Sequence, residues 1–114
     1  MSLAITLGVV VLLAAFMFNT RRPKVPPAEA RRLVEEGATL LDVRTESEFA
    51  GGHPPGARNV PVQELSGRLG EIQKNRPVVV YCHSGSRAMF ATRVLRKAGF
   101  EVRDLGAMSN WPRT

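Results

Sequence analysis

Cysteine is nearly absent from this chain of 114 residues: Cys82 is the only one, and His53 and His83 are the only histidines. One thiol rules out an intramolecular disulfide framework and a multi-cysteine metal site, so no metal or other cofactor is expected. Thiol chemistry, if present, must proceed one sulfur at a time, which fits a reducing compartment. Aromatic residues make up only 6% of the chain and do not alternate with basic ones, so the net charge of +6 is not a nucleic-acid signature. Arg21, Arg22 and Lys24 account for half of that charge. Without them, 13 basic residues face 10 acidic ones, an ordinary surface balance.

Charge is also missing from the first 20 residues. Residues 3 to 18, LAITLGVVVLLAAFMF, are almost wholly apolar, and with the mild flanks Met1, Ser2, Asn19 and Thr20 a helix of 20 residues would reach about 30 Å. A transmembrane anchor over residues 1–20 is therefore expected. A cleaved signal peptide would carry positive charge before the apolar run and a small-x-small site after it, and this chain has neither. With the basic cluster behind the run, the positive-inside rule predicts a single-pass protein of the cell (inner) membrane, its N-terminus outside and the rest cytoplasmic.

Residues 21–27 hold three prolines within five positions and read as a basic, proline-rich linker with no core packing. The folded domain is expected over 28–114. PAEARRLVEEG, starting at Pro27, predicts a helix with Ala30, Leu33 and Val34 on its apolar stripe and Gly37 as its stop. Strands are predicted at 38–44, 57–62, 77–82 and 101–106, a weak helix interrupted by Gly67 and Gly70 at 63–72, and a helix from Ser86 to Gly99 with Met89, Phe90, Val94 and Leu95 offered to the core. Strands alternating with helices predict an α/β fold: a central, mainly parallel sheet with helices on both faces.

Such a fold places the end of the 77–82 strand at the ligand crevice. Cys82 stands there, ahead of His83, Ser84, Gly85, Ser86 and Arg87. Gly85 lets the backbone curl, Ser84 and Ser86 can donate hydrogen bonds, and a following helix and Arg87 add positive potential. Each of these favours thiolate over thiol, so Cys82 is the candidate nucleophile.

LLDVRTESEFAGGHPPGARNVP, VVVYCHSGSRA and LGAMSNWP together resemble the signature blocks of a single-domain rhodanese, over roughly residues 25 to 112. Two positions depart from the family pattern: Pro54 stands where GHIPGA is usual, and Ala107 follows Gly106 where a glycine pair is usual. The resemblance implies a rhodanese-like fold and a sulfurtransferase of the thiosulfate:cyanide class. Cys82 would take the outer sulfur of thiosulfate or a persulfide, hold it as a persulfide, and pass it to a thiol or cyanide. The loop from His83 to Arg87 would surround that sulfur, and Arg87 would neutralise it or receive an anionic donor. The partners implied are a small-molecule sulfur donor and a thiol acceptor, with a protein acceptor as a variant of the latter.

Asp42 and Arg44 match the family's DVR and are read as a supporting ion pair more than as chemistry. His53 is read as a loop anchor, His83 as pointing outward, Trp111 as a core plug, and Arg93, Arg96 and Lys97 as a solvated helix end. Two other classes of function compete. A cysteine phosphatase or arsenate reductase would want five residues between cysteine and arginine, and here four intervene. A membrane-tethered binding or sulfur-relay module would use the same shape without independent turnover.

Overall fold

The computed structural model describes residues 2–21 and 24–113, the backbone alone for 18–21. Arg22 and Pro23, to which part of the expected basic linker falls, lie outside the described residues.

Four strands form one parallel sheet: β1 (Thr39–Asp42), β2 (Arg58–Asn59), β3 (Val78–Cys82) and β4 (Val102–Ala107). Their spatial order is β2-β1-β3-β4. Helices α2 (Pro27–Glu35), α3 (Glu46–Ala50) and α4 (Ser86–Lys97) accompany the sheet, and α1 (Leu3–Arg21) precedes it. The expected α/β architecture is present, with shorter strands than the apolar runs suggested.

Every residue of β3 is buried, so both its faces are covered. Side chains alternate along a strand, and this divides the core in two. Leu41, Val43, Val78, Val80 and Cys82 pack with Ala88, Ala91 and Leu95 of α4 on one face. Leu40, Val79, Tyr81 and Leu105 pack with Val25 and Ala30 on the other, and Leu33, Val34 and Trp111 close over them. The fully covered strands explain why those segments read as continuous apolar runs.

Several sequence expectations need correction. The helix expected over 63–72 is two 3₁₀ turns, Val62–Gly67 and Leu69–Glu71. Gly67 and Gly70 weaken the segment's helical preference, and only Leu65 and Ile72 are buried there. Phe90 was offered to the core but is 58% exposed. The buried face of α4 is Ala88, Ala91, Thr92 and Leu95, a spacing that turns position 90 outward. Helix α3 was not foreseen; it is five residues long and is capped by Thr45, whose hydroxyl accepts from Glu48 N–H while the Glu48 carboxylate accepts from Thr45 N–H.

The linker also differs from expectation. Val25 is only 3% exposed, and the N–H groups of Lys24 and Val25 both donate to the Asp104 carbonyl at 2.9 and 3.2 Å. Prolines at 26 and 27 stiffen this stretch, but one apolar side chain and two backbone bonds are enough to pin it to β4.

Ahead of it, every described side chain from Ser2 to Met17 is exposed. Among the described residues no helix is long and apolar enough to cross a membrane, so the span expected over 1–20 is not supported. The reason is length. The sequence count relied on Met1, Ser2, Asn19 and Thr20, whereas the apolar stretch from Leu3 to Phe18 has 16 residues, about 24 Å against a hydrocarbon core of about 30 Å.

Candidate functional site

Strand β3 ends at Cys82, and the chain turns at once into α4. Gly85 makes the turn with φ of 104°, a conformation costly to residues carrying a Cβ. The turn points two backbone donors back at the sulfur: Gly85 N–H lies 2.9 Å and Ala88 N–H 3.3 Å from Cys82 Sγ. The thiol is wholly buried. Unfilled N–H groups at a helix start favour an anionic acceptor, so the loop suits a thiolate and any anion later formed on that sulfur. Gly85 was anticipated as a loop residue; Ala88 was not, because a helical alanine has no side-chain signal and contributes only through its backbone.

Arg87 departs from expectation. Its guanidinium faces Glu48 of α3, with Nη1 donating to Oε1 at 2.6 Å and Nη2 to Oε2 at 3.0 Å. This pairing holds the Glu48 carboxyl down to about 2 from an ordinary 4.5, the Thr45 N–H adding to it, and the same bond raises Arg87. Arg87 therefore brings no uncompensated charge to the loop. Glu48 was missed because 39 residues separate the partners; only folding brings them together.

Asp42 and Arg44 form the ion pair the sequence suggested. Arg44 Nε donates to both Asp42 oxygens and Nη2 to Oδ2 at 2.7 Å, with the pair almost wholly buried. The Arg44 backbone N–H donates to Asp42 Oδ1 at 2.9 Å and Tyr81 O–H to Oδ2 at 2.5 Å, and the Arg44 guanidinium lies 5.8 Å from the Tyr81 ring centre. Burial and the Asp42 bond raise the Tyr81 phenol well above its ordinary value, while Asp42 raises Arg44. Arg44 also donates to the Gly52 carbonyl at 2.8 Å, which ties the 51–57 loop to the sheet. Asp42 shares the Tyr81 side of the sheet and does not touch Sγ in any described contact.

That tethered loop forms one wall of an open cavity of about 690 Å³. His53 and Pro54 stand on this wall, His83 and Ser84 from the Cys82 loop on another, and Met108 and Trp111 on a third. Trp111 thus both packs on the Tyr81 cluster and faces the cavity. His83 and Ser86 are exposed and Ser84 is partly so. His53 keeps its loop in place as expected: its ring stacks on Phe49 at 3.6 Å and its Nδ1 lies 2.9 Å from the Phe49 carbonyl. Among the described residues no group of three or more metal-ligating side chains occurs.

With this geometry in place, comparison with known proteins identifies the family. Residues 26–114 match the rhodanese-like domain. The chain belongs to the rhodanese-like family. Its rhodanese domain is 38% identical over 87 residues to a sulfurtransferase of Allochromatium vinosum, covering 74% of this chain and 81% of that one. The uncharacterized protein YqhL of Bacillus subtilis is 36% identical over 105 residues, covering 90% of this chain and 83% of its own. Among solved structures, the human single-domain sulfurtransferase TSTD1 superposes with a TM-score of 0.66 at 34% identity, over 78% of this chain and 94% of that one. The departure at Ala107 fits the rhodanese domain's backbone: Gly106 takes a positive φ, 78°, while Ala107 is extended, with φ of −85°.

Proposed function

We propose that the protein is a rhodanese-type sulfurtransferase that carries sulfane sulfur on Cys82. The thiolate attacks the outer sulfur of thiosulfate or a persulfide donor and expels sulfite or a thiolate. The resulting Cys82 persulfide then gives its sulfur to a thiol, or to cyanide in an assay. One observation carries this reading: two converging N–H groups hold Cys82 Sγ where β3 meets α4. Relatives named as sulfurtransferases add support. His83, Ser84, Gly85 and Ser86 enclose the transferred sulfur in this reading, and Arg87 orders the loop through Glu48. Because the Arg87 charge is matched by Glu48, a persulfide of low charge suits the loop at least as well as dianionic thiosulfate.

The test is direct. The full chain, incubated separately with thiosulfate, polysulfide and glutathione persulfide, should gain one sulfur atom by intact mass, removable by cyanide; Cys82→Ser should gain none. If the wild type stays unmodified with all three donors, the binding-module reading replaces this one.

We also propose that α1 attaches the domain to the cell membrane, with the N-terminus outside and the rhodanese domain cytoplasmic. Large apolar side chains from Leu3 to Met17 are 47 to 74% exposed, with Arg21 and Lys24 following. An apolar stretch this short would require the bilayer to thin around it. The full chain should stay with membranes through alkaline carbonate extraction. Release into the supernatant, or labelling of Cys82 by an impermeant thiol reagent in intact cells, would sink this assignment.

A further inference from the structure

Transfer from a persulfide to a thiol raises a problem that the Cys82 cradle does not solve. Most thiols have a pKa near 8.5 and are protonated at neutral pH, yet only the thiolate attacks. At Cys82 the Gly85 and Ala88 N–H groups point at Sγ and receive negative charge there. The incoming thiol has no such cradle and needs a base.

His53 is placed for that task. A backbone carbonyl can only accept a hydrogen bond, so the 2.9 Å contact with the Phe49 carbonyl requires His53 Nδ1 to carry the proton. In the neutral imidazole Nε2 is then the acceptor, and no described residue donates to it. Stacking on Phe49, 3.6 Å between ring centres with 6° between planes, fixes the ring's orientation. The loop itself is fastened by Arg44 to the Gly52 carbonyl. His53 lines the cavity together with His83 and Ser84, the two residues that follow Cys82.

We propose that His53 is the general base that deprotonates the acceptor thiol in the cavity beside the Cys82 loop. This rests on the sulfur-transfer reading. Nε2 takes the proton of R–SH, and the R–S⁻ so formed attacks the outer sulfur of the Cys82 persulfide. The bond between the two persulfide sulfurs breaks and its electron pair returns to Sγ, where Gly85 and Ala88 N–H receive it. The imidazolium hands the proton to the transferred sulfur. Cys82–S–S⁻ and R–SH thus become Cys82–S⁻ and R–S–SH, with no outside oxidant or reductant. Met108, Trp111 and Pro54 line the same cavity, so its walls suit an acceptor thiol with an apolar body.

The titratable and charged groups around His53 are His83 and Arg113 on the cavity wall, Arg44 behind the Gly52 carbonyl, and the Glu48–Arg87 pair beside Phe49. His83 is the rival base, so both histidines enter the test. Full-length wild type, His53→Asn and His83→Asn are loaded with sulfur, and the loaded fraction is read by intact mass. Single-turnover unloading is then followed with thiols of graded pKa and with sulfite, which needs no deprotonation. The asparagine amide of His53→Asn can still donate to the Phe49 carbonyl. That variant should load normally and unload normally to sulfite, while transfer to thiols whose pKa exceeds the assay pH falls about 10²-fold. The deficit should close as pH rises past each thiol's own pKa.

Equal losses for sulfite and thiols would mean that His53 is structural, and no loss, or the selective loss appearing in His83→Asn instead, would also overturn the proposal. If the wild type loads from no donor, the sulfur-transfer reading falls and this inference with it. Normal loading without a selective effect of His53→Asn removes this inference alone.

Discussion

Tyr81 and Cys82 are consecutive in β3 and both wholly buried, yet they serve opposite faces of the sheet. On the Tyr81 face, Asp42, Arg44 and Tyr81 form a closed network in which each buried polar group has a partner. On the Cys82 face, Sγ receives two N–H groups from a glycine-turned loop and sits in an otherwise apolar cluster. One face spends its polar groups on each other; the other leaves its donors aimed at a single sulfur. The arrangement teaches that the family's DVR stretch holds the frame, through the Gly52 carbonyl and the cavity wall, while the stretch after Cys82 gathers N–H groups at Sγ, where the proposed chemistry takes place.

That division can be broken from either side. The largest effect belongs to Cys82→Ser, which should abolish sulfur loading by intact mass while leaving the denaturant midpoint close to wild type. A large stability loss in this variant would show that the thiol also holds the core together. Asp42→Ala should do the reverse. Removing one partner leaves the Arg44 guanidinium buried and unpaired, and breaking such a pair costs about 3–5 kcal/mol, measurable by urea unfolding. At a temperature where this variant remains folded it should still load sulfur. Loss of loading in a demonstrably folded Asp42→Ala chain would move Asp42 into the chemistry.

The smallest effect concerns Glu48, which connects the Cys82 face to α3. Its folded pKa, about 2, lies below the ordinary 4.5, so its ion pair contributes fully above about pH 4.5. The contribution is lost as pH falls from there toward 2, because the unfolded chain takes up the proton first. Thermal midpoints of wild type and Glu48→Gln should therefore differ near pH 6 and converge toward pH 2.5. A difference that stays constant across that range would mean that the Arg87 pair is not what stabilises α3 and the loop.

The fold was largely legible because its strongest signals are local. The apolar run ending at Cys82 marks β3, Pro27 and Gly37 bracket α2, and Gly99 ends α4 with a φ of 94°. Where local signals conflict, as in the glycine-interrupted stretch after Val62, the expected weak helix takes the form of two short 3₁₀ turns. Phe90 failed for a related reason. It is as apolar as its neighbours, and only docking against β3 and β4 decides which stripe of α4 turns inward. The N-terminal run was legible as apolar, yet its length as an uninterrupted stretch fell short of the expected span.

By itself, the sequence determined the parallel α/β order, the position of Cys82 at a strand end and the pairing of Asp42 with Arg44, because each depends on residues close together along the chain. Only the tertiary structure decided that Arg87 is matched by Glu48, that Tyr81 joins the Asp42 network, and that His53, His83 and Trp111 share one cavity. Those contacts join segments separated by tens of residues. Their formation depends on how helices and loops settle on the sheet, which local residue preferences do not specify.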